Sequence, residues 1–189
     1  MRILYIHGAG ASSKSFNWLL EKLPKHDPIF FEYSTDVSVK TAVENFHRMM
    51  NSYNLVCGYE PTIVIGHSLG GIIATACANN PQITKLVTLC APFGGIKHTE
   101  LLSMFSFEPL FHDLRNHGPL LTSIRNTPIQ KPHLAIVGTK GLPFMTEAND
   151  GAVTLASQMA FNVDYKMIPV NHFEVLLSEE VAELITEFI

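Results

Sequence analysis

The sequence predicts an α/β protein: a mostly parallel sheet of about six strands between two layers of helices. Short β-branched or aromatic runs alternate with helical patterns along the whole chain. The strand runs are almost continuously apolar, the pattern of strands covered on both faces. At 189 residues, 47% apolar and 16% charged, the chain suits one compact domain spanning residues 1–189.

The elements follow in order. "ILYI" (3–6) forms a strand at once and leads to a helix in "SFNWLLEKL" (15–23). The aromatic run "PIFFEY" (28–33) is the second strand, followed by the helical pattern "SVKTAVENFHRMMNSY" (38–53). "TIVIG" (62–66) runs straight into the small-residue helix "LGGIIATACANN" (69–80). "KLVTLCA" (85–91), "HLAIVG" (133–138) and "DYKMIPV" (164–170) complete the sheet, and "SEEVAELITEFI" (178–189) closes the chain with a helix. Residues 96–127 are too long for a plain connection between two such units. They either form helices of their own or serve as a small lid, and the methionine and aromatic content of "LLSMFSFEPLFHDL" suits an apolar binding surface.

Composition excludes several functions. The net charge of −4 offers no basic stripe for nucleic acid. No apolar stretch reaches the roughly 18 residues of a membrane span, and "MRILYIHG" lacks the apolar region and cleavage site of a signal peptide. Cys57, Cys77 and Cys90 are odd in number and have no C-x-x-C spacing. A reducing cytoplasm is the expected compartment.

"GAGASSKS" (8–15) approaches two phosphate-binding motifs and completes neither, because Ser13 stands where each requires its last glycine. Glu32, ending the second strand, is at a distance that suits a ribose contact. Against nucleotide binding, neither "TIVIG" nor "LAIVG" ends in the aspartate that would help hold Mg²⁺. Read instead as His7-Gly8-Ala9-Gly10, the turn suits a transient anion, with backbone N–H groups offered and no side chain in the way.

Gly66-His67-Ser68-Leu69-Gly70 matches G-x-S-x-G, after a strand and at the start of a helix, which is the setting of a nucleophile elbow. Gly66 and Gly70 are required where strand and helix cross closely, and Gly71 extends the small-residue surface. The N–H of Leu69 follows the nucleophile and becomes an oxyanion donor. A serine hydroxyl attacks poorly unless a base takes its proton and a carboxylate orients that base. Among His98, His112, His117, His133 and His172, the last lies in a loop after the final strand, where a base reaches over the strand ends. Asp150, in "EANDGAVTL", is the carboxylate of choice over Asp113, Asp164 and Glu174, with Glu147 a substitute if the turn is shifted. His112 and His117, five apart, do not make a helical metal-ligand pair, so no metal is expected.

With these motifs in this order, the chain resembles the α/β-hydrolase superfamily, in its small lipase and esterase branch. The resemblance rests on "YIHGAGASSKSFNW", "VIGHSLGGIIA", "LVTLCAPFGG", "NDGAV" and "VNHFEVL", with a partial match in "FHDLRNHGPLLTSIRN". It implies a minimal three-layer α/β-hydrolase fold without a large cap domain, starting at what is the third strand of larger members. It further implies Ser68 as nucleophile, His172 as general base and acid, Asp150 as orienting carboxylate, and Ala9 with Leu69 as oxyanion donors. The implied activity is hydrolysis of a small or lipid-like carboxylic ester through an acyl-enzyme, with no cofactor and with a hydrophobic acyl group beneath "LLSMFSF" and "PLF". A thioesterase, amidase or acyltransferase would use the same residues, and a non-catalytic binding protein on this fold would be expected to lack one of the three.

Overall fold

Alternation along the first strand divides the core in two. Ile3 and Tyr5 face one apolar cluster, Leu4 and Ile6 the other, and all four are buried. The computed structural model describes residues 1–34, 36–96, 113–115, 118–142 and 147–189. Strands β1 (Arg2–Ile6), β2 (Asp27–Phe31), β3 (Thr62–His67), β4 (Ile83–Leu89), β5 (His133–Gly138) and β6 (Tyr165–Ile168) form one sheet. Its order is β2-β1-β3-β4-β5-β6, and every pair is parallel. Central strands β3 and β5 are buried at every residue, whereas the edge strands β2 and β6 begin exposed.

Helices cover both faces. A 3-10 turn (Ser13–Phe16) leads into α1 (Asn17–Lys22), which shares one cluster with the closing helix α6 (Glu179–Phe188) through Phe16, Leu19, Val181 and Ile185. Helices α2 (Val39–Cys57), α3 (Leu69–Ala76) and α4 (Pro119–Asn126) fill the opposite cluster with Phe46, Met50, Ile72, Ile73, Leu121 and Ile124. Each such buried side chain contributes about 1.5–3 kcal/mol over its exposed state. The short α5 (Leu155–Gln158) lies between β5 and β6. Ser38 caps α2 by accepting the Thr41 N–H, and Ser178 caps α6 by accepting that of Val181. Among the described residues no helix is long and apolar enough to cross a membrane.

Several boundaries differ from the sequence reading. The first helix opens as a 3-10 turn, and α3 stops at Ala76 because Asn79-Asn80-Pro81 cannot continue it. Strand β4 ends at Leu89, where Cys90 turns the chain at φ 52°. Within 96–127 the structure describes α4, so part of the segment is helical. His98, His112, His117, "LLSMFSF" and "PLF" lie outside the described residues.

The topology decides where a site belongs. The chain leaves β1 toward β2 on one side and leaves β3 toward β4 on the other. Between the carboxyl ends of β1 and β3 the strand order therefore reverses, and open α/β sheets bind ligands at such a crevice. "HGAG" follows β1 and "SLGG" follows β3, so both turns border it.

Candidate active site

Ser68 follows β3 directly and stands at φ 54°, ψ −120°, a conformation that L side chains rarely adopt. Close packing imposes it. A Cβ on Gly66 would lie 2.4 Å from the Gly70 carbonyl oxygen, and one on Gly70 would lie 2.1 Å from that of Ile6. Strand, turn and α3 thus cross with only backbone between them. The Ser68 N–H donates to the Leu89 carbonyl at 2.8 Å, which fastens the turn to β4.

The loops after β5 and β6 bring Asp150 and His172 to the same edge. His172 Nδ1 lies 2.7 Å from Asp150 Oδ2, and its Nε2 lies 2.9 Å from Ser68 Oγ. With the Nδ1 proton donated to the carboxylate, Nε2 accepts from the serine hydroxyl. A second bond joins the two loops, from the His172 N–H to the Asp150 carbonyl at 2.8 Å. Asp150 Oδ1 accepts the N–H groups of Ala152 at 2.9 Å and Val153 at 2.7 Å. Burial alone would raise the Asp150 pKa. The hydrogen bond and charge of His172 and the backbone donors outweigh burial and hold it below the usual carboxylate value.

His67 adds a third buried imidazole. Its Nε2–H donates to the His172 carbonyl at 2.8 Å, and the two ring centroids are 4.9 Å apart. Burial, and next the neighbouring His172, push its pKa down to about 3, so it is neutral, and its buried Nδ1 has no hydrogen-bond partner among the described residues.

On the other side of Ser68 lies the β1 turn, since a Cβ on Gly8 would stand 3.2 Å from Ser68 Cβ. His7 is buried there, and its Nδ1–H donates to the Gly8 carbonyl at 2.8 Å. Tyr33 stacks on its ring at 4.4 Å and donates its hydroxyl to the His7 carbonyl at 2.8 Å. Glu32 Oε2 lies 3.1 Å from His7 Nε2, while Oε1 accepts the Ser13 N–H at 2.8 Å. Partial burial works against the Glu32 charge, but these bonds hold its pKa below the usual value. The carboxylate weighed as a ribose contact is thus engaged within the protein, as is the Ser13 N–H a phosphate loop would turn to its ligand. Ala9 is half-buried beside Gly8, and Leu69 is buried beside Ser68.

The rival acids are engaged or distant. Asp113 accepts the Val39 N–H at the start of α2 at 2.7 Å. Glu174 pairs with Lys140 at 2.8 Å and accepts the Asn171 N–H at 3.0 Å. Asp164 precedes β6, at the opposite edge of the sheet. His133 starts β5 and pairs with Thr88 at 2.9 Å.

No protein-family model matches the chain, and no curated protein matches it in sequence. Solved structures do. A lipase-esterase related protein from Clostridium acetobutylicum superposes with a TM-score of 0.71 at 19% identity, covering 100% of this chain and 94% of that one. The mature lipase BlEst2 of Bacillus licheniformis gives 0.79 at 18% identity, covering 98% and 90%. Phospholipase PlaB of Legionella pneumophila gives 0.77 at 11% identity, covering 100% of this chain and 58% of PlaB. The chain has the α/β-hydrolase fold.

Within that fold, four residues support the site without having been read from sequence. Asn149 Oδ1 accepts the N–H groups of Leu142 at 3.0 Å and Gly151 at 2.7 Å, and its amide donates to the Glu147 carbonyl at 2.7 Å. The Asn-x-Gly spacing is a signal for this turn. Gln158 accepts the Gly138 N–H at 3.0 Å and donates to the Gly138 and Val153 carbonyls, which ties α5 to the acid loop. Tyr33 holds His7, as described. Cys90 is, with Ser68, one of two non-glycine residues at positive φ among those described. Its sulfur, an Asp150 oxygen and a His172 nitrogen lie within 4.8 Å of one another. That trio has metal-type donors, but Asp150 and His172 are already bonded to each other and to Ser68.

Proposed function

We propose that this chain is a serine hydrolase of carboxylic esters, with Ser68 as nucleophile, His172 as general base and acid, and Asp150 as the orienting carboxylate. The observation that carries the reading is the continuous hydrogen-bonded chain Ser68–His172–Asp150 beside a strained serine turn. As Ser68 Oγ bonds to the ester carbonyl carbon, its proton passes to His172 Nε2. The imidazolium that forms is stabilised by Asp150, whose low pKa keeps it ionised at neutral pH. The carbonyl electron pair moves onto oxygen, where the N–H groups of Ala9 and Leu69 receive it. Collapse expels the alcohol, which takes the proton from Nε2. Water repeats the sequence on the acyl-enzyme.

The likeness to a lipase, a lipase-esterase related protein and a phospholipase supports an ester substrate with an apolar acyl group. A single domain over residues 1–189 accommodates the scheme. Intact-mass analysis after treatment with a fluorophosphonate tests it. One adduct on the wild type and none on Ser68→Ala is the expected result, with p-nitrophenyl ester hydrolysis lost in the same variant. Ester hydrolysis that survives Ser68→Ala would overturn the reading.

A further inference from the structure

We propose that His7 and Glu32 are positioning residues for the oxyanion turn: His7 fixes the Gly8–Ala9 peptide, and Glu32 with Tyr33 fixes His7. The inference rests on the roles proposed above for Ser68 and Ala9. Its starting point is the unusual choice of partner by a buried imidazole. His7 Nδ1 bonds the carbonyl of the very next residue, Gly8, at the turn that packs against Ser68. A trans peptide is planar, so its C=O and N–H point in opposite directions. Described peptide bonds are all trans. With the Gly8 oxygen held by His7 and, at 3.2 Å, by the Ala11 N–H, the Ala9 N–H is turned away from both. An accepted hydrogen bond on the carbonyl also strengthens the N–H of the same peptide as a donor.

The other edge of the ring, at Nε2, meets two partners. Tyr33 N–H stands 3.4 Å from His7 Nε2 and Glu32 Oε2 stands 3.1 Å from it. Tyr33 requires a lone pair there and Glu32 requires a proton. The Gly8 oxygen can only accept, so Nδ1 carries a hydrogen whichever partner Nε2 takes. The ring itself cannot swing away: Tyr33 stacks on it within 6° of parallel and ties down the His7 carbonyl. From beneath, Gly70 packs so closely that a Cβ there would lie 2.5 Å from the same carbonyl oxygen. Glu32 fastens the assembly at its outer end to Ser13, the first residue beyond the turn's glycines to enter the 3-10 helix.

The test reads the peptide first and turnover second. The Ala9 backbone amide resonance is recorded by ¹H–¹⁵N NMR in wild type, His7→Leu, His7→Asn and Glu32→Gln, with thermal unfolding of each as the folding control. An asparagine amide can place an N–H near the position of Nδ1, whereas leucine cannot. The resonance should move in His7→Leu and stay near its wild-type position in His7→Asn. With p-nitrophenyl acetate, kcat should fall about 10- to 100-fold in His7→Leu at nearly constant KM, below the 10²–10³ cost of deleting an oxyanion donor outright. His7→Asn should recover most of that loss, and Glu32→Gln should lose about 2- to 5-fold by loosening the ring alone. An Ala9 resonance unmoved in His7→Leu overturns the proposal even if the wild type hydrolyses no ester. His7→Asn as impaired as His7→Leu also overturns it, by assigning the effect to packing.

Discussion

Two imidazole–carboxylate pairs flank Ser68, and they are built differently. In the first, His172 and Asp150 are 3% and 0% exposed and Nδ1 lies 2.7 Å from Oδ2. In the second, His7 is 2% exposed, but its partner Glu32 is 52% exposed at 3.1 Å. Each imidazole turns its remaining nitrogen inward: His172 to the Ser68 hydroxyl, His7 to the Gly8 carbonyl. A buried carboxylate interacts through a poor dielectric and has no water to replace its partner. An exposed one is screened by solvent and salt. The first arrangement suits a group that must carry charge during a reaction, and the second suits one that only has to hold a ring in place.

Breaking the buried pair should have the largest effect. Asp150→Asn preserves shape but disturbs the imidazole tautomer, and kcat should fall on the order of 10⁴-fold with KM little changed. Steady-state kinetics on a p-nitrophenyl ester measure it, and a loss below tenfold would place the orienting charge elsewhere. Next in size is the scaffold of the acid loop. Asn149→Ala strands the N–H groups of Leu142 and Gly151, so urea unfolding should show a loss of about 1–3 kcal/mol. An unchanged midpoint would mean that water replaces the amide fully.

Acid pH sharpens the contrast further. Burial holds His67 and His133 neutral, with pKa values pushed down to about 3 and about 4. Unfolded histidines bind protons below about 6.5. The unfolded state therefore takes up more protons as pH falls, and stability declines from about pH 6.5 down through the folded values. Asp150 acts in the same direction at lower pH, because its depressed pKa stabilises the fold only while it is ionised. The melting temperature should fall between pH 6.5 and pH 4, and His133→Gln should flatten part of that fall. A flat profile in the wild type would contradict the buried-neutral assignment. The smallest effect belongs to the exposed carboxylate: the kcat deficit of Glu32→Gln should shrink further as salt rises, because the wild-type interaction is itself screened.

The two pairs also differ in how far sequence reveals them. Six apolar runs marked the strands within a few residues, because strands covered on both faces leave a continuous signal. "GHSLG" marked its turn because only glycines at 66 and 70 permit the crossing. Asp150 and His172, chosen by chain order and loop position, do meet in space at Ser68. In the sequence His7 belongs to an anion-binding turn, but its grip on Gly8 is a bond to a backbone carbonyl, which any residue supplies and no motif records. Glu32 resembles a ribose contact for the same reason: a carboxylate at a strand's end looks alike whether it meets a sugar or a histidine 25 residues away in the chain. Gln158 offers no local signal either, since its partners lie at the end of β5 and in the acid loop.

The most direct measurement is the second-order rate of fluorophosphonate reaction at Ser68, compared between wild type, Asp150→Asn and Glu32→Gln. It reports activation of the serine hydroxyl without depending on the natural substrate. Slowing on the order of 10³- to 10⁴-fold in Asp150→Asn, with Glu32→Gln within about fivefold of wild type, is the predicted result. Equal rates in wild type and Asp150→Asn would contradict the claim that the buried pair activates Ser68.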